Sequence, residues 1–191
     1  MPPRKRPGPE RMPRSGRTAK KPATNRVRSF APFVHDDSEV LILGSMPGAR
    51  SLAERRYYAH PQNAFWRIMS DVLGFAADAS YEERLESLIE SRIAVWDVLH
   101  SCNRTGSLDT SIDTATQTAN DFARLFRRHP QIRRVLLNGT KAWVSYRRHV
   151  LAEDIATGIE CIHLPSTSPA NASWSYARKL AAWRAALKGK K

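Results

Sequence analysis

Cysteine is scarce: the 191-residue chain has two, Cys102 and Cys161. Two thiols so far apart offer neither a disulfide framework nor a zinc site, so a reducing compartment, the cytoplasm, is the expected setting. The six histidines show no ligand spacing with them, and no metal is expected. Long apolar runs are missing too. None approaches the roughly 18 residues that a membrane helix requires, so no membrane span is expected. The chain also lacks a Gly-Lys-Ser/Thr phosphate loop and the Gly-x-Gly-x-x-Gly spacing of dinucleotide folds, which argues against ATP and NAD and leaves no cofactor implied. Acidic residues are in short supply, 18 against 31 Lys and Arg, for a net charge of +13. Such a surplus points to a polyanionic partner, nucleic acid first.

The charge is unevenly placed. Residues 1–29 hold ten basic side chains and one acid, Glu10, which leaves only 21 basic and 17 acidic residues from Phe30 onward. Proline, glycine and like charge dominate stretches such as Pro2 to Pro9, with almost nothing to bury, so 1–29 is expected to be a disordered basic arm. It has neither the apolar stretch of a secretory signal nor the amphipathic helix of a transit peptide. Arg4-Lys5-Arg6 is also the kind of run read as nuclear localisation. Residues 30–191 are then one domain of ordinary size, expected to be a monomer.

Within that domain short apolar runs alternate with helical patterns. Val40 to Leu43, ended by Gly44, reads as a strand buried on both faces. Helices follow over Asn63 to Val72 and from a Ser80/Glu83 capping box to about Glu90. Ile93 to Trp96 supplies a second strand, and a loop rich in Ser, Thr and Asp is expected up to Asn120. Phe122, Leu125 and Phe126 then mark a helix stopped by Pro130, Val135 to Leu137 a third strand, and Trp143 to Val150 a helix. Glu160 to His163 makes the fourth strand. Tyr176, Leu180, Trp183 and Leu187 give the last helix one apolar face. The alternation predicts an α/β fold with a parallel sheet covered on both sides.

In such folds the chemistry lies beyond the carboxyl ends of the strands. Two loops there are unusual: Gly44-Ser45-Met46-Pro47-Gly48 and Leu164-Pro165-Ser166-Thr167-Ser168-Pro169-Ala170-Asn171. Each offers backbone N–H groups and small hydroxyls that suit phosphodiester oxygens, and each alone also reads as a tight turn.

Leu41 to Gly48, followed by Ser51-Leu52 and by Tyr57-Tyr58-Ala59-His60-Pro61-Gln62-Asn63-Ala64-Phe65-Trp66, resembles the first motif of the uracil-DNA glycosylase superfamily. The nearest likeness is to its DNA-deoxyinosine (hypoxanthine-DNA) glycosylase branch, and mismatch-specific uracil glycosylases share the Ala-His-Pro-x-Asn-x-Phe-Trp pattern. Leu164 to Asn171 resembles the second motif, the loop that approaches the minor groove. The resemblance covers about Ser38 to Leu187 and implies a three-layer α/β/α domain around a central four-stranded parallel sheet. It also implies hydrolysis of the bond between a deaminated base and deoxyribose, on double-stranded or single-stranded DNA. The base must first be turned out of the stack, at a cost of a few kcal/mol.

Two departures bear on mechanism. Many relatives carry Asp or Asn early in the first motif to hold water, where this chain has Ser45 and Met46. The resemblance to the deoxyinosine branch moves the water-positioning role to Asn63, whose amide orients by hydrogen bonding and does not titrate; the same residue also reads as a helix cap. Where many uracil glycosylases have His before Pro-Ser, this chain has Leu164, and His163 is read as a packed strand-end histidine. Asp97, at the end of the second strand, would accept from hypoxanthine N1–H and repel the adenine N1 lone pair, or else cap a turn. Tyr58 matches the ring that stacks on the base, with Tyr57 in the core. Ser45, Met46 and Asn138 are further base-pocket candidates. Gly48, His60, Ser166, Thr167, Ser168 and Asn171 are assigned to DNA, and Arg50, Arg55 and Arg56 to a basic rim or a solvated loop. The competing readings are a mismatch-preferring uracil glycosylase and a DNA-binding module that has lost catalysis.

Overall fold

The structure, a computed structural model, describes residues 25–188. Residues 1–24, most of the expected arm, and 189–191 lie outside them.

Four strands form the central sheet: β2 (Val40–Gly44), β3 (Ile93–Asp97), β6 (Arg134–Asn138) and β7 (Glu160–Leu164), in the order β3-β2-β6-β7 and all parallel. The apolar runs of β2, β3 and β6 are continuous because both faces are covered, while of the edge strand β7 only Leu164 is buried. One face packs Leu41, Leu43, Trp96 and Leu137 against α4 (Phe122–Arg128) and α5 (Thr140–His149). The other packs Ile42, Val95 and Leu136 against α2 (Phe65–Leu73), α3 (Tyr81–Glu90) and α6 (Tyr176–Lys188). The three-layer α/β/α arrangement is the one expected.

Local signals explain the heads of α3 and α4. Ser80 and Glu83 form the reciprocal capping box at the head of α3. Asp121 accepts from the Arg124 N–H at the head of α4, and Pro130 follows its end. The short α1 (Ala49–Glu54), inside the first motif, has no comparable sequence signal.

Two expectations need correction. The arm does not reach residue 29: β1 (Arg26–Arg28) pairs antiparallel with β4 (Leu99–Asn103), Val27 opposite the fully buried Cys102. The stretch after the second strand is likewise no plain loop. It holds β4 and β5 (Thr118–Ala119), which with β1 make a second, antiparallel sheet in the order β1-β4-β5. Val98 alone separates β3 from β4, and the partners β1 and β4 lie far apart along the chain, beyond the reach of local patterning.

From β2 the chain passes to β3 on one side, and β6 is laid down on the other. The strand order therefore reverses at β2/β6, and the crevice at the carboxyl ends of these two strands is where a ligand is expected.

Candidate active site

A cleft of about 1240 Å³ opens at that crevice. Both motifs line it, together with Tyr58, His60, Asn63, Asp97 and Asn138. Residues separated by more than a hundred positions thus meet at the ends of β2, β3, β6 and β7.

The floor is built around Gly44. A Cβ at this position would stand 2.7 Å from Asp97 Oδ1 and 3.4 Å from the Tyr58 hydroxyl, so only glycine lets the two side chains approach β2. Asp97 is 4% exposed and its Oδ2 has no hydrogen-bond partner among the described residues. Burial, with Asp109 adding repulsion and Arg104 opposing, pushes its carboxyl up to about 8. The shift favours the protonated form, which can donate as well as accept, over the acceptor-only carboxylate expected from the sequence. Tyr58, at φ 53°, lays one ring face on Phe65 with centroids 3.8 Å apart. Burial and then Asp97 raise its phenol well above the ordinary value. Tyr57 is in the core as expected, its hydroxyl donating to the Ala31 carbonyl at 2.9 Å.

Asn63 stands at the mouth of the second half of the first motif. Its Oδ1 accepts from the Phe65 N–H at 3.0 Å, ahead of the first turn of α2, which fixes the amide and leaves Nδ2 and one Oδ1 lone pair for other partners. The helix cap expected of Asn63 is corrected, since Ala64 occupies the cap position and the Asn63 bond closes an Asx-type turn before it, an arrangement compatible with lining the cleft. His60 is exposed; its Nδ1 accepts from the Gln62 N–H at 3.2 Å and its carbonyl from the Asn63 N–H, so it also shapes this loop.

The second motif is tied down from below. Asn138, at the end of β6, accepts from the Thr167 N–H and donates to Thr167 Oγ1, both at 2.9 Å. Thr167 returns its carbonyl to the Ala64 N–H at 2.9 Å, joining the two motifs directly. Thr167 was expected at the DNA; it is 1% exposed and its polar groups are engaged within the protein, so it acts as an anchor. Asn138 reaches the cleft wall with both ends of its amide in the same service. Gly139, at φ +94°, is held against Ser166, whose Cβ would lie 2.7 Å from an added Cβ. Ser166 and Ser168 use their hydroxyls to accept from Ser168 and Ala170 N–H groups, and the Asn171 amide donates to the Ser166 carbonyl at 3.1 Å. The Trp183 indole donates to the Pro165 carbonyl from α6 at 3.0 Å. Gly48 precedes α1 with open space around it, so backbone can be approached there.

His163 departs from the packed histidine expected. Its ring is exposed at the rim of the cleft and stacks on Trp143 at 5.8 Å, while Leu164 is the buried neighbour on the other face. Met46 is 5% exposed and mainly a core residue of the α4/α5 side. Arg50 and Arg56 lie next to Glu54 (2.6 Å) and Glu82 (3.6 Å), as the solvated-loop reading has it.

One part of the site had no sequence signal. Asp109, from the Ser/Thr/Asp-rich stretch after β4, reaches back into the cleft and accepts from Ser45 Oγ at 2.5 Å. Nearby, the buried Arg104 donates to the Pro47 carbonyl at 2.6 Å and Ser107 Oγ accepts from the Ala49 N–H at 3.0 Å. Among the described residues no group of three or more His, Cys, Asp or Glu is placed to hold a metal ion, and no helix is long and apolar enough to cross a membrane.

A protein called hypoxanthine DNA glycosylase from Methanosarcina acetivorans is 35% identical over 162 residues, 84% of this chain and 98% of that one. One of the same name from Methanosarcina barkeri is 36% identical over 118 residues, 61% of this chain and 73% of its own length. The solution NMR structure of a candidate uracil DNA glycosylase from Methanosarcina acetivorans superposes with a TM-score of 0.70 at 34% identity, covering 86% of this chain and 99% of that one. The model of the uracil DNA glycosylase superfamily matches residues 31–188, nearly the whole described fold, and the chain belongs to that family.

Proposed function

We propose that the chain is a monofunctional, cofactor-free DNA glycosylase that removes a flipped-out deaminated base, hypoxanthine first, in base-excision repair. The observation that carries this reading is the convergence of the two motifs on one cleft at the β2/β6 crossover, with Asn63, Tyr58 and Asp97 around it. The names of the two relatives, hypoxanthine DNA glycosylases, favour hypoxanthine over uracil.

The reaction breaks the C1′–N9 bond. The electron pair leaves with the base, a water oxygen bonds to C1′, and the water proton passes to solvent while the base takes one up at nitrogen. The sugar is oxocarbenium-like at the midpoint, so the need is for a water held in line and for donors facing the departing base. Asn63 holds the water through its uncommitted Nδ2–H and lone pair. Asp97, buried at the floor with its Oδ2 unpartnered among the described residues and its carboxyl shifted upward, faces the lactam side of the base and in its protonated form donates to O6. Tyr58, backed by Phe65, presents a ring for stacking, an interaction of about 1–3 kcal/mol. Gly48, Ser166, Ser168 and Asn171 form the phosphate-facing rim, held in place by Asn138 and Thr167.

Duplexes and single strands carrying deoxyinosine, deoxyuridine or deoxyxanthosine, incubated with the protein and treated with alkali, test this directly. Scission is expected with deoxyinosine above the others. Preferential scission at deoxyuridine in mismatches would replace this reading by a uracil glycosylase, and binding without scission on every substrate by a DNA-binding module.

A further inference from the structure

Ser45 and Asp109 are 64 positions apart, yet their side chains make the 2.5 Å contact in the cleft. The contact is braced on both sides. Arg104 holds the Pro47 carbonyl at 2.6 Å, Ser107 receives the Ala49 N–H at 3.0 Å, and both bonds tie the 104–109 segment to the loop that carries Ser45. Ser45 is 6% exposed and directly follows Gly44, where Asp97 and Tyr58 converge. Burial raises the Asp109 carboxyl, with the Ser45 bond, Arg104 and Lys141 opposing the rise, and in the contact itself Ser45 Oγ is the donor and Asp109 Oδ1 the acceptor.

A serine hydroxyl carries one proton and two lone pairs, and by rotation it serves a donor or an acceptor equally well. Its proton is committed here. We propose that Asp109 fixes Ser45 as a hydrogen-bond acceptor for the N1–H edge of the flipped base, so that the Ser45–Asp109 pair sets the choice of hypoxanthine over adenine. Hypoxanthine presents N1–H to the Ser45 lone pair. Adenine presents the N1 lone pair, and the hydroxyl cannot turn to meet it without leaving a buried acceptor on Asp109 unpaired. Asp109 is a positioning residue in this scheme, acting through Ser45. The inference rests on the glycosylase reading and deepens it.

The test is single-turnover excision from matched duplexes carrying deoxyinosine or deoxynebularine, a purine with the adenine-like N1 lone pair and no group at C6. The unaltered protein is expected to favour deoxyinosine. Asp109→Ala releases the Ser45 proton, and the deoxyinosine to deoxynebularine ratio is expected to fall at least about tenfold. Ser45→Ala removes the acceptor and is expected to lower the ratio as well, with the double variant no lower than Asp109→Ala alone, because the two act as one unit. Ratios unchanged in Ser45→Ala, or an equal loss on both bases in Asp109→Ala, overturn the inference and leave Asp109 a support for its loop. If Asp109→Ala does not fold, Ser45→Ala and Asp109→Asn carry the test: Asn keeps a carbonyl acceptor and is expected to retain more of the ratio than Ser45→Ala. Absence of excision by the unaltered protein on deoxyinosine would instead remove the glycosylase reading itself.

Discussion

Gly44 and Asp97 show how one residue's chemistry depends on another's absence of a side chain. Replacing Gly44 by Ala puts a methyl 2.7 Å from Asp97 Oδ1, in a floor that also holds Tyr58. Gly44→Ala is expected to lower stability by about 1–3 kcal/mol and to reduce excision by displacing Asp97, with urea denaturation and single-turnover rates as the readouts. Asp97 itself ties stability to pH. Its carboxyl goes from the ordinary 3.8 to about 8 on burial, so the folded protein binds this proton when the unfolded chain has released it. Below 3.8 the group makes no difference, and stability falls as pH rises between the two values, by up to about 1.4 kcal/mol per unit. Asp97→Asn is expected to flatten that fall, with the variant gaining on the parent toward pH 8 and above. Parallel curves for the two proteins would show that Asp97 is not the titrating group. At Asn63 the substitution to be made is Ala: excision should drop about 100-fold or more while binding to lesion DNA persists, since the amide orients water and carries no charge. A rate within a few-fold of the parent would place the water elsewhere.

At the level of elements, the second motif owes its shape to β6. Asn138 meets the Thr167 amide and hydroxyl from the strand end, and Asn138→Ala would leave both without partners in a buried position. Such groups cost about 1–3 kcal/mol each, so the variant is expected to melt earlier and to bind DNA more weakly while keeping the same ranking among lesions. A changed ranking would mean that Asn138 reads the base. The same contrast between local and distant partners separates what the sequence made legible from what it did not. Strands β2, β3 and β6 could be read because burial on both faces writes an unbroken apolar run, and α3 because Ser80 and Glu83 are three residues apart. The β1–β4 pair could not, since Arg26 and Val27 gain their meaning from Asn103 and Cys102, far along the chain. That Tyr58, Asn63 and Asp97 line the cleft was legible from motif and strand position. Asp109 was not: in a segment of serines, threonines and aspartates one carboxyl looks like another until the fold brings it to Ser45. The upward shift of the Asp97 carboxyl was hidden for the same reason, being set by burial and by Asp109 on another element.

For the whole molecule the question is how a mildly basic domain meets a polyanion. Residues 1–24 carry eight basic side chains and one acid, and the boundary at Asn25, where the described fold begins, separates this charge from the strand that seals β4. The two contributions can be cut apart. Removing 1–24 is expected to leave the melting temperature and the ranking of lesions unchanged while making the slope of log K against log salt shallower, by about 0.9 for each duplex phosphate that the arm neutralises. Removing 1–29 also takes β1 away, exposing the edge of β4 and the Cys102 side of the second sheet, and should lower the melting temperature as well. An unchanged salt slope after the shorter truncation would move the electrostatic binding onto the domain surface around the cleft, and a changed lesion ranking would bring the arm into base choice.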